Sequence, residues 1–193
     1  MPDWGTLHWR PVIGDPTFMG WLTVVLYFLC AWQCLRVLLQ APQLFQQQTR
    51  RQRGLWLFLA MAMCLLGINK QLDLQTLFTE IGKYFAHRDN WYDHRRDIQK
   101  RFIEGMIAIG LMTVLIAAWG YRHSLKQNLL ALLGFTFLIV FVIVRATSFH
   151  HMDRFIGTRF IGLKMNWILE IGGILMILLN AVWLQCQVRQ PKP

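Results

Sequence analysis

The sequence predicts an all-α integral membrane protein: a bundle of five transmembrane helices with an amphipathic helix on its outer face. Three observations carry this. Hydrophobic residues make up 55% of the chain, and the mean hydropathy is +0.35. The apolar residues fall in blocks, several of about 18 or more, the length that crosses the hydrocarbon core as a helix. Short polar connections separate the blocks. A bilayer offers no water to free backbone groups, so each crossing is expected to be helical. No hydrophilic stretch is long enough to fold separately, so residues 1–193 are read as a single membrane domain.

The first span is expected over 18–39. The second begins near Leu55, is strictly apolar only to Ile68, and is expected to continue to about Leu72. The remaining spans are expected over 103–120, 129–148 and 163–185. The polar stretches Pro42 to Arg53 and Tyr121 to Asn128 read as loops. In the long second connection, Leu74, Leu77, Phe78, Ile81 and Phe85 recur at helical spacing among polar residues. That pattern is an amphipathic helix at the membrane surface or a continuation of the second span. The N-terminal stretch lacks a basic region before the first block and a small-residue cleavage site after it, so it is not read as a signal peptide.

Orientation follows from charge. With five spans, one side receives Arg50, Arg51, Arg53, Arg122, Lys126, Arg189 and Lys192, and no acid. The positive-inside rule makes that side cytoplasmic, with the N-terminus outside and the C-terminus inside. The net charge of +10 is accounted for by topology, and no nucleic-acid-binding motif accompanies it. The lipid bilayer is the expected environment, with a small molecule, lipid headgroup or partner membrane subunit as ligand and no nucleic acid. Trp21, Trp91 and Trp167 fall near outer span ends, and Trp56, Trp119 and Trp183 near inner ones, where indoles favour the headgroup level. The cysteines Cys30, Cys34, Cys64 and Cys186 lie in or at the ends of apolar blocks, where a disulfide framework is not indicated.

Polar residues gather at the outer span ends. Asn69, Lys70 and Asp73 close the second span; His94 lies among charged residues before the third, and Glu104 in its first turn. Arg145, Ser148, His150, His151 and Asp153 mark the exit of the fourth span, and Asn166 and Glu170 the entry of the fifth. The inner ends show no comparable cluster, and the inner halves of the spans carry few polar residues. Glu170 stands roughly 10 Å into its span at 1.5 Å per residue. Ionisable groups at such depth face partners or water-filled cavities. Arg145 is the expected partner, in an ion pair that either fixes packing or handles a substrate or proton. Catalytic roles, if any, fall to Glu170, Arg145 and Glu104. His150, His151 and Asp153 form a candidate set for a divalent metal such as zinc or iron. Their spacing matches no established metal motif, and the competing reading is interfacial histidines bonded to backbone and headgroups. A metal there would make the protein a membrane hydrolase, with Glu170 or Glu104 as base on bound water.

The strings Gly67-Ile-Asn-Lys-Gln-Leu-Asp-Leu-Gln75, Arg145-Ala-Thr-Ser-Phe-His-His-Met-Asp153 and Asn166-Trp-Ile-Leu-Glu170 resemble those of a family of uncharacterised bacterial multi-pass inner-membrane proteins. The likeness runs from the second span onward. It implies a bacterial inner membrane and brings no activity with it. Ser148, His150, His151 and Asp153 are similar by residue type to the zinc site of alkaline-ceramidase-like hydrolases. Span count and histidine spacing depart from that family, so its site is not carried over.

Overall fold

The computed structural model describes residues 13–45, 49–72, 95–122, 125–147, 159–160 and 163–189. It is helical throughout, apart from a two-residue antiparallel ladder. The elements are α1 (Phe18–Leu44), α2 (Thr49–Leu72), α3 (Arg95–Gly120), α4 (Leu125–Thr147), β1 (Arg159–Phe160), β2 (Leu163–Lys164) and α5 (Met165–Arg189). In the ladder Arg159 pairs with Lys164 and Phe160 with Leu163. Four helical stretches are long and apolar enough to cross a membrane: Phe18–Leu44, Thr49–Leu72, Lys126–Ile143 and Trp167–Gln187. The third expected span falls on α3, whose described apolar stretch is the shorter Ile107–Ile116. The chain is thus a multi-pass membrane protein, embedded in a lipid bilayer. The expected amphipathic helix lies outside the described residues.

Each helix starts or stops for a local reason. Thr17 caps α1: its hydroxyl accepts from the Gly20 amide at 3.1 Å, supplying one of the groups a helix start leaves unpaired. α1 then continues through Pro42 to Leu44, so Pro42 is helical and not part of the expected loop. Only one helical hydrogen bond is lost there, since proline lacks an N–H, and the Phe45 amide still bonds Ala41. The Thr49 hydroxyl at the start of α2 donates to the Phe45 carbonyl that follows α1. Arg50, Arg51 and Arg53 therefore lie in the first turns of α2, where like-signed helix-dipole charge opposes them. Their charge is better explained by topology than by helix stability.

α1 packs on α2 and α5, and α5 on α4; α3 lies outside, against α4. Phe58 of α2 meets Phe135 of α4 edge-on at 5.2 Å, closing α1, α2, α4 and α5 into a ring. The core inside it includes Tyr27, Cys30, Val37, Leu59, Met63, Leu138, Ile174 and Ile177. Outward-facing Val25, Leu65, Leu133 and Leu179 are more than half exposed, as lipid-facing residues should be. Trp56 departs from expectation: it is wholly buried, its indole N–H without a hydrogen-bond partner, and it does not sit at a headgroup surface. Trp119 and Trp183 are exposed at the same end.

At the end of the bundle away from Lys70 and Glu170, amide side chains join the helices in separate contacts. Asn128 donates to Gln52 at 3.0 Å, and Gln185 donates to the Gln33 side chain at 3.1 Å. Asn180 accepts from the Ala131 amide and donates to the Gln127 carbonyl, both at 2.8 Å. Gln127 and Ala131 are i,i+4 partners in α4, so the Asn180 amide clamps onto a turn of helix backbone. Side chains that engage the backbone ladder in this way are an established source of local helix distortion. In lipid such interhelical bonds replace the hydrophobic force that water would supply.

Candidate functional site

The C-terminal end of α2 and the start of α5 build the site. Lys70 is in the last turn of α2, and Glu170 is in the second turn of α5. Lys70 Nζ stands 2.7 Å from Glu170 Oε2, with side chains 2% and 4% exposed. Tyr27 of α1 donates its hydroxyl to Glu170 Oε1 at 3.1 Å. Both carboxylate oxygens therefore have a donor, the condition for ionising a carboxylate away from water. Gly67 lets α1 reach this place: a Cβ there would stand 3.1 Å from Tyr27 Cβ.

The segment before α1 folds over the pair. The Gly14 amide donates to the Gln71 carbonyl at 2.8 Å, capping one of the last carbonyls of α2 that the helix leaves unpaired. Asp15 Oδ2 lies 3.8 Å from Lys70 Nζ and accepts from Trp167 Nε1 at 3.4 Å. Its Oδ1 accepts from the Thr17 hydroxyl at 2.6 Å. The fold requires glycine at position 20, because a Cβ there would come within 2.4 Å of the Asp15 carbonyl oxygen. The Gln71 side-chain amide is buried at both polar atoms and has no hydrogen-bond partner.

Partial burial works against ionising Asp15, but hydrogen bonds from Thr17 and Trp167, with the Lys70 charge, outweigh it. They hold its carboxyl below the ordinary 3.8. A carboxyl depressed in this way adds stability that is fully present above its ordinary pKa and is lost as pH falls through its folded value. The protection of the Gly14 amide, its exchange rate compared with the intrinsic rate at the same pH, is therefore expected to fall as pH drops below about 3.8. In Asp15→Asn the protection should be low throughout and lack that titration step; an unchanged step would reject the assignment.

Of the residues the sequence singled out, the structure brings Lys70 and Glu170 together. Glu170 pairs with Lys70, a partner the sequence reading did not assign to it. Arg145 lies on α4, with its side chain outside the described residues, as is that of Asn166 on α5. Asn69 is half-buried beside Lys70. Glu104 is exposed on α3 and, among the described residues, is not part of the cluster. Asp73, His94, Ser148, His150, His151 and Asp153 lie outside the described residues. Among the described residues no group of three or more His, Cys, Asp or Glu forms a metal site. Sequence reasoning missed Asp15 and Tyr27. The signal for Asp15 was its place two residues before a threonine that opens an apolar block.

An ammonium, two carboxylates, a phenol and an indole N–H thus converge at one end of the bundle, beneath a short covering segment. Such a set can hold a charge, exchange a proton or hydrogen-bond a polar ligand. No family profile matches the chain, and neither a curated relative nor a similar solved structure was found.

Proposed function

We propose that this protein is a binding or accessory component of the membrane. Its polar cluster around Lys70 and Glu170 would take a small molecule, a lipid headgroup or a partner subunit. One observation supports this most directly: the Lys70–Glu170 pair is sealed inside the bundle next to Gln71, whose amide has unused donors and an unused acceptor. Charges inside a membrane protein are costly and mark functional sites by default. A buried amide left unpaired costs about 1–3 kcal/mol, which a ligand would recover. The acid-free basic end favours a cytoplasmic C-terminus and an outside N-terminus, and the resemblance of residues 67–75, 145–153 and 166–170 favours a bacterial inner membrane.

Native mass spectrometry of the protein extracted in polymer-bounded membrane patches tests the reading. The wild type should retain an adduct or subunit of defined mass that a Lys70→Met/Glu170→Leu double variant loses. Identical spectra for the two would reduce the pair to a packing element.

A further inference from the structure

Along α5, from Leu179 to Trp183 and so roughly 14–20 Å beyond Glu170 at helical rise, a groove of about 500 Å3 opens between α4 and α5. Lys126, Gln127 and Asn180 line its polar end, and Leu130, Leu133 and Leu179 are among the residues lining the rest, with Trp183 at the edge. Asn180 is 2% exposed and fixed by its two bonds to the α4 backbone, so the polar end is rigidly built. Lys126 opens α4, and the leucines follow one and two turns deeper. The groove therefore runs from a cation and amides at the membrane surface to bare hydrocarbon within it. That is the profile of a phospholipid: phosphate, ester-linked glycerol, acyl chain.

The charge around it selects the headgroup. Arg50, Arg51, Arg53 and Arg122 belong to the same end, which the Tyr121 hydroxyl ties together by bonding the Arg51 carbonyl at 3.1 Å. No acid occurs over residues 16–72, 121–147 or 171–193, so nothing there neutralises the rim. Trp183 is half exposed beside Lys126, where an indole belongs at headgroup level. We propose that this groove binds one anionic phospholipid, its phosphate against Lys126 and one acyl chain along Leu130, Leu133 and Leu179. The site is separate from the Lys70–Glu170 cluster and does not depend on how that cluster is used.

The test counts lipids retained by the delipidated full chain after adding phosphatidylglycerol, phosphatidylcholine or free glycerophosphate, read by native mass spectrometry. The expected result is one phosphatidylglycerol per chain, favoured over phosphatidylcholine about fivefold, the effect of one basic residue near an anionic surface. Lys126→Gln should remove that preference. Leu133→Trp, or Leu179→Trp if the first lowers helicity, should fill the groove and abolish retention with Lys126 intact. Equal retention of the two lipids, unaltered binding in the tryptophan variants, or equal binding of free glycerophosphate would overturn the proposal.

Discussion

Lys70→Ala is expected to destabilise the folded bundle by about 3–5 kcal/mol, whereas Lys70→Met combined with Glu170→Leu should be near neutral or stabilising. The asymmetry is electrostatic. In the single variant Glu170 keeps its charge or takes up a proton in a place water does not reach, with Tyr27 as its remaining described donor. In the double variant neither buried charge of the pair remains, residues of similar volume fill the space, and the partly exposed Asp15 keeps its hydrogen bonds from Thr17 and Trp167. Reversible unfolding in mixed micelles with rising dodecyl sulfate would measure both, and Glu170→Leu alone completes the cycle. Additive costs for the two single variants would show that the 2.7 Å contact carries little coupling, and the argument for a charged interior at this end would fail.

Gly134→Ala should destabilise the bundle whereas Gly172→Ala should be neutral or stabilising, although both place one methyl on a transmembrane helix. A Cβ at Gly134 would stand 2.7 Å from the Gly173 carbonyl oxygen and 2.7 Å from Met176 Cβ. Neither is the free end of a side chain, so α4 and α5 must separate. Overpacking of this kind costs about 1–3 kcal/mol, and the separation would strain the Asn180 clamp one turn away. At Gly172 a Cβ meets nothing within 4 Å, and helix propensity favours alanine by about 1 kcal/mol. Small residues at such crossings let helix backbones approach closely in lipid. Parallel unfolding curves for the two variants decide the matter: equal midpoints would mean that the α4–α5 contact is not tight.

The largest features were legible in the sequence because they depend on one helix at a time. Apolar block length gives the crossings, and the extension of the second helix to Leu72 follows from its thinning but unbroken pattern. The depth of Glu170 follows from counting residues, and so does the expectation that something must neutralise it. Pro42 misled the reading of the first loop because a proline near a helix end removes only a single bond.

What remained open concerns neighbours. A sequence fixes how deep a residue lies along its own helix, but not which helix stands opposite. Lys70 and Arg145 lie at comparable depth, and the packing of α5 against α1 and of α1 against α2 brings Lys70 to Glu170. The same holds for Gln33, Gln52, Asn128, Asn180 and Gln185. On its own helix none of them has a visible partner, and the contacts form only when the ring of helices closes. Asp15 belongs to the site solely because Gly20 and Thr17 turn the preceding chain back over the bundle. Single-helix hydrophobicity decided that this protein lives in a membrane. The crossing of helices, set by close glycine contacts and interhelical hydrogen bonds, decided which polar groups meet inside it.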